Sequence, residues 1–363
     1  MNKCRNGLLG GLAAVPLVAG IVLFAGTSVA LAAPGTPGSP IALSGHNQHS
    51  YSVTQVADTV HLATPSSVRG GERPAAPNRD GTFSSHGKAD VVIPASASGR
   101  VSVARSDGLM PLKVELSVDP SASSPASLAP DGSVVYTTGD SINRSIQATD
   151  DGVRISTVIS SPDAPMSFVT MMALPAGDHL VLGADEPGAP SGIAIVNQTG
   201  QVVGGIAPPW ARDATGAAVA THFELVPGGF TQTVEHRTGG VVYPVTADPW
   251  LGFALISSAT WVHYAEGWTL QVTPTAWARS WAFSSLSAAV GAADWNELYA
   301  KYRSSGLNTN LTGMRDQLIC HQVFVAVRYP NKPTWNLDEW RPNVGFVQTV
   351  NAQCNPGGPK WFD

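Results

Sequence analysis

From residue 89 to 248, apolar and polar positions alternate in short runs broken by turn signals. Leu112, Val114, Leu116 and Val118 describe a full strand with a period of two, and Val101 and Val103 a shorter one. Comparable runs lie at 134–138, 153–159, 167–174, 193–196, 202–206, 223–226, 231–235 and 241–245. Asp131-Gly132, Asp151-Gly152, Thr199-Gly200, Gly228-Gly229 and Gly239-Gly240 stand between them, and such pairs accept the positive φ of tight hairpin turns. Many short strands at this spacing predict a β-sandwich or a barrel-like module over 88–249.

The pattern changes after Pro249. Strands are predicted at 256–262 and 267–273, with Trp268, Leu270 and Val272 on one face and Glu266-Gly267 as the turn. Trp277 and Trp281, four apart, suit one side of a helix over 275–283. A second helix runs from Asp294, as its cap, to about Tyr302, with Trp295, Leu298, Tyr299 and Tyr302 along one side. A third spans about 311–327, capped by Thr312, with Leu318, Ile319, Val323, Phe324 and Val327 as its apolar surface, and Pro330 and Pro333 end it. Residues 250–363 therefore read as a separate, small α+β domain.

The amino terminus has a different character. Lys3 and Arg5 precede an apolar stretch from Leu8 to Ala25, and Ala30-Leu31-Ala32 supplies small residues at a cleavage site. Residues 1–32 are a secretory signal peptide by this pattern, cut after Ala32, and Cys4 leaves with it. Residues 33–87 have the Pro, Gly and Ser content of a flexible linker, with one weak strand pattern at Tyr51, Val53 and Val56. His46, His49, His61 and His86 lie there at spacings that fit no common zinc pattern, so no metal site is expected. No later segment reaches the length and apolarity of a membrane span.

Composition sharpens this division. Nine of the ten tryptophans fall between Trp250 and Trp361. Charged residues make up 13% of the 363-residue chain and the formal net charge is −5, with no basic run, so a nucleic-acid partner is not expected. Cys320 and Cys354 are the cysteines left after signal cleavage, and export favours their pairing. That bond would close a loop of about 34 residues, worth roughly 3 to 4 kcal/mol in the chain-entropy model.

Two resemblances follow from particular motifs. Pro209-Trp210-Ala211-Arg212-Asp213-Ala214-Thr215-Gly216 and Tyr243-Pro244-Val245-Thr246-Ala247-Asp248-Pro249-Trp250 resemble a β module of secreted actinobacterial proteins, where it precedes varied C-terminal domains. The resemblance implies a carrier or presentation module. Over 256–358 the chain resembles a secreted actinobacterial domain family of unknown function, number 2599. That likeness is carried by Gly313-Met314-Arg315-Asp316-Gln317, Cys320-His321, the segment from Lys332 to Pro342 with its Trp-Asn-Leu and Trp-Arg-Pro motifs, and Cys354-Asn355-Pro356-Gly357-Gly358. It implies domain identity and export, and no mechanism.

Candidate chemistry is sparse. His321 is the histidine with polar company in this region, but Asp316 lies five positions away, about 140° round a helix. Gln317, at four positions, shares its face. Ser284-Ser285 and Ser304-Ser305 lack the Gly-x-Ser-x-Gly context of a hydrolase elbow. Glu266 with Asp338 or Glu339 offers a carboxylate pair of glycosidase type, a pairing that any chain contains. Trp335 and Trp340, beside Asn336 and Arg341, have the composition of a sugar-binding platform, in which aromatic faces stack and polar groups orient. The expectation is an exported two-domain protein without a cofactor, located outside the cell or on its wall. It would bind cell-wall glycan or a surface protein through Trp335, Asn336, Trp340 and Arg341. The competing reading is a secreted hydrolase or toxin-like effector using His321, Asp316 and Arg315.

Overall fold

The computed structural model describes residues 51–358, apart from 110–111, 139–140 and 185–189. The signal peptide, Cys4, His46, His49 and Trp361 lie outside the described residues. The described residues form one compact unit.

The alternating region folds as two antiparallel sheets packed face to face. One carries the strands His179–Leu182, Ile193–Val196, Val202–Ile206, Trp250–Gly252, Gly152–Ile159, Ile142–Thr149, Val134–Thr137 and Ser127–Leu128 in that spatial order. The other runs Thr221–Val226, Gly229–Val234, Ser167–Ala173, Lys113–Ser117, Arg100–Arg105, Ala89–Ile93, Phe83–His86 and Ala76–Pro77. Neither sheet closes on itself, so of the two predicted architectures the sandwich is the one formed. The apolar positions of the period-two runs meet between the sheets: Val91, Val103, Val114 and Leu116 from one, Val134, Ile146, Val153 and Ile155 from the other, each at most 1% exposed.

Residues 51–87 correct the linker reading. Helix α1 (Val53–Ala63) is opened by a capping box in which Ser52 Oγ accepts the Gln55 N–H and Gln55 Oε1 accepts the Ser52 N–H. Val56, Ala57, Val60 and Ala63 form its buried stripe, packed on Val135 and Val158 of the first sheet's outer face. The alternation of Tyr51, Val53 and Val56 suggested a strand, but the helical stripe wins because the sheet supplies it with a partner surface. Glu72–Arg73, Ala76–Pro77 and Phe83–His86 then join the sheets as strands.

The C-terminal region has a three-stranded antiparallel sheet in the order Ile256–Tyr264, Gly267–Pro274 and Trp335–Asp338. Its helices are α2 (Ala276–Ser280), α3 (Ser287–Tyr302), α4 (Leu311–Cys320), α5 (Ala326–Arg328) and α6 (Phe346–Asn351). A π turn over His321–Val325 joins α4 to α5, making the continuous helical stretch that the apolar periodicity predicted. Two predicted caps are not caps. Asp294 lies inside α3, because Val290, Ala293 and a run of alanines extend the helix two turns upstream. Thr312 lies inside α4, which starts after Asn310 in the left-handed region at φ 43°. Cys320 and Cys354 are disulfide-bonded with their Cα atoms 5.6 Å apart, tying the chain after α6 to the end of α4.

The two regions are locked by two tryptophans. Trp277 and Trp281, both fully buried and edge-to-face at 5.5 Å, rest on the outer face of the first sheet. The sheet is bare glycine where they land. A Cβ on Gly252 would come within 2.7 Å of the Trp277 ring, and Cβ atoms on Gly192 and Gly205 within 2.8 and 3.0 Å of the Trp281 ring. Emptying such a fully buried ring site costs about 3 to 5 kcal/mol. Trp281→Ala is therefore expected to lower the unfolding free energy by that amount in urea titration of the whole chain, and a loss under 1 kcal/mol would show that the seat carries little of the docking.

Candidate functional site

Strand alternation sorts the predicted binding residues. Trp335 and Leu337 point to the core face of the three-stranded sheet, where both are fully buried. Asn336 and Asp338 take the opposite, outer face. Trp335 is thus corrected from platform to core: it packs beside His321, ring centroids 6.4 Å apart, under the Arg279 guanidinium at 5.6 Å. The segment reads as a Pro-bounded loop but pairs as a strand, and one residue of register decides which side chain faces out.

The outer face gathers the others. Trp340 is half-buried and packs on the backbone of Gly267, where a Cβ would lie 3.0 Å from it. The Arg341 guanidinium covers one side of that indole at 4.3 Å. Arg341 is itself buried, paired to Asp338 at 2.5 Å and donating to the Pro356 carbonyl at 3.3 Å. Asp338 also accepts from Thr269 Oγ1 at 2.5 Å. Arg341 therefore positions Trp340 and offers no free guanidinium to a ligand.

Tyr264 is the register partner of Gly267, the residue on which Trp340 packs. It is 42% exposed, and its hydroxyl accepts from Gln271 Nε2 at 2.8 Å. Gln271 is the register partner of Asn336. Tyr264, Trp340, Gln271 and Asn336 thus share one partly open sheet face. On the opposite face of the same strand, Trp268, 47% exposed, meets the ring of its register partner His263 edge-to-face at 4.8 Å. Tyr264 and Gln271 were missed from sequence. The signal was present: once Trp268, Leu270 and Val272 take one face of a strand, Gln271 takes the other.

The proposed catalytic residues do not converge. His321 is 3% exposed, and its Nδ1–H donates to the Gln317 carbonyl at 2.7 Å. Because a carbonyl only accepts, Nδ1 carries the proton. Burial pushes the imidazole pKa down to about 4, so the ring is neutral at pH 7. Asp316 approaches Arg315 at 3.7 Å, and burial raises its pKa. Neither a cavity of about 250 Å³ beside Arg105 and Glu297 nor one of about 230 Å³ behind the disulfide is lined by His321, Asp316 or Arg315. Of the glycosidase-type pair, Glu266 is exposed in the hairpin turn, while Asp338 is engaged as above and Glu339 accepts from Thr309 Oγ1 at 2.6 Å.

Gln317 explains why this segment is ordered. Its side-chain amide donates to the Asp338 carbonyl at 3.1 Å and accepts the Asp338 N–H at 2.9 Å, acting as one residue of a further strand at the sheet edge. Gln317, His321, Asp338, Arg341 and Trp340 form one connected unit that supports the outer face.

Residues 256–357 match the family model described as Protein of unknown function (DUF2599). Uncharacterized protein Rv0477 of Mycobacterium tuberculosis (strain ATCC 25618 / H37Rv) is 34% identical over 106 residues, which is 29% of this chain and 68% of that protein. Uncharacterized protein Mb0487 of Mycobacterium bovis (strain ATCC BAA-935 / AF2122/97) is similar to the same extent. The chain belongs to the DUF2599 family. No solved structure matches it. The DUF2599 region contains the outer-face residues, the Gln317 clamp and the disulfide.

The depressed His321 pKa has a consequence for stability. A group whose folded pKa is lowered stabilises the fold above its unfolded pKa, and that contribution is lost as pH falls through the folded value. For His321 the window runs from about 6.5 down to about 4, with a total of about 3 kcal/mol. His321→Gln removes the titration, so the wild-type minus variant difference in unfolding free energy should shrink by roughly that amount between pH 7 and pH 4. A difference that stays constant across this range would place a charged or solvated imidazole in the folded protein.

Proposed function

We propose that this protein is an exported glycan-binding protein of the cell envelope, using the outer face of its DUF2599 sheet. The observation that carries the reading is the shared face of Tyr264, Trp340, Gln271 and Asn336. Aromatic faces give apolar contact to sugar rings, and the two amides give donors and acceptors for hydroxyl groups. The ordering entropy of the site is already spent, because Trp340 is held by Arg341 and Asp338, and Tyr264 by Gln271. The effector reading has no comparable support. It needs His321, Asp316 and Arg315 to act together, and His321 is buried, neutral and bonded to backbone.

Export rests on the amino-terminal pattern of Lys3, Arg5, the apolar stretch and Ala30-Leu31-Ala32. Among the described residues no helix is long and apolar enough to cross a membrane. The mature chain recovered from culture medium is expected to begin at Ala33, read by intact mass.

The binding test is a sedimentation isotherm of the mature protein on insoluble cell wall. Trp340→Ala and Tyr264→Ala should each weaken binding about five- to tenfold, the range for losing one aromatic contact. Phe283→Ala, an exposed apolar residue away from this face, should leave binding unchanged. Equal binding by all variants would remove the outer face from consideration. Soluble fragments released by the wild type and not by His321→Gln would replace this reading with a hydrolytic one.

A further inference from the structure

The first sheet has a second polar surface, on the face turned away from the sandwich core. Ser145 and Ser156 are direct register partners on adjacent central strands. Thr246, on the next strand, is the partner of Val158, two residues beyond Ser156. All three side chains are at most 1% exposed, and none of their hydroxyls has a hydrogen-bond partner. Asp248, fully buried, and Arg154, 2% exposed, continue the same face beside Trp250. Gln147 and Asn143 flank the row on the neighbouring strand.

What lies across these strands is α1, and its buried side is apolar: Val56, Ala57, Val60 and Ala63. It matches Val135 and Val158 but gives the hydroxyl row nothing to bond with. A buried hydroxyl without a partner loses its hydration and gets nothing in return. Helix and floor are therefore complementary in shape and mismatched in chemistry. The chain after α1 is tied both to the helix end and to the sheet. Arg69 bonds the carbonyls of His61 and Thr64, and the Val68 carbonyl accepts from Arg154. Thr64-Pro65, where α1 ends, is bridged by Arg69, so releasing α1 from the floor requires those two bonds to give way.

We propose that this floor is a saccharide-binding trough that α1 covers in cis. The strands here are central, so their backbone groups are used in pairing and an added peptide strand has no edge to join. Recognition has to come from side chains. Hydroxyls that both donate and accept, two amides, one carboxylate and one guanidinium suit a neutral ligand dense in hydroxyl groups. Arg154 is faced by the carboxyls of Asp248, Glu72 and Asp151, so the floor favours neither an anion nor a cation. The trough shares no residue with the Tyr264 and Trp340 face, so the two sites stand or fall separately.

Two measurements on the full mature chain test this. In the triple variant Ser145→Ala, Ser156→Ala, Thr246→Val the floor becomes apolar. Hydrogen exchange in peptides covering 51–64 should slow about tenfold or more, because the helix then rests on a matched surface. Unchanged or faster exchange overturns the mismatch and with it the proposal. In Val60→Asp the helix is driven off the floor. A soluble oligomer of N-acetylglucosamine should then bind about tenfold more tightly than to the wild type, with tight binding lost on adding Ser156→Ala and kept on adding Trp340→Ala. No gain in affinity with intact near-UV dichroism rejects the trough. A Val60→Asp chain that fails to fold leaves the decision to the exchange experiment.

Discussion

One carboxylate sets the frame of the C-terminal region. Glu297, on α3, accepts the Leu255 N–H at 3.0 Å and the Ile256 N–H at 3.1 Å, where the chain passes from the sandwich into the three-stranded sheet. It also accepts from Arg105 of the sandwich at 3.2 Å and from Lys301 at 2.6 Å. Arg105 is in turn clamped by both oxygens of Asp107, at 2.7 and 2.8 Å. A buried carboxylate is tolerated only with its hydrogen bonds filled, and here four donors from three parts of the chain fill them. The crossing point, α3 and the sandwich edge are thereby held in one geometry. The Trp277 and Trp281 seat, and the sheet bearing Tyr264 and Trp340, are built outward from it.

Much of the fold was legible because period-two alternation survives in the short strands of the sandwich. Leu112, Val114 and Leu116 fill the core as their spacing required, and the 256–262 and 267–273 strands formed with a few residues added. The failures share a cause. α1 has only three turns and sits in linker-like composition, so its stripe is short and its partner sheet is remote in sequence. Asp294 was read as a cap because it stands directly before the apolar side of Trp295, Leu298, Tyr299 and Tyr302. It is fully buried with no hydrogen bond to either oxygen, and burial raises its pKa well above the ordinary value.

The site was half legible. Composition drew attention to the segment from Trp335 to Arg341, and Asn336 and Trp340 do lie on one face. It could not separate Trp335 from Trp340, because that depends on strand register, and register depends on Gln317 pairing with the edge of Asp338. Arg341 also changed meaning. A guanidinium beside an indole suggests a ligand contact, but this one is buried and bonded to Asp338 and Pro356. The pairing of Cys320 with Cys354 was legible because they are the two cysteines outside the amino-terminal apolar segment.

The glycines beneath Trp277 and Trp281 limit how this architecture can be dismantled. A sheet that omits three side chains to receive two indoles has lost surface it would otherwise use to cover itself. Separated, the sandwich would show a bare backbone strip and the C-terminal region two adjacent indoles, each a sticky surface in water. The match to the mycobacterial relatives is confined to 106 residues. Any chain that carries this region without such a sandwich must supply another seat for those rings, which makes the seat, more than the outer face, the obstacle to shuffling the domain between proteins.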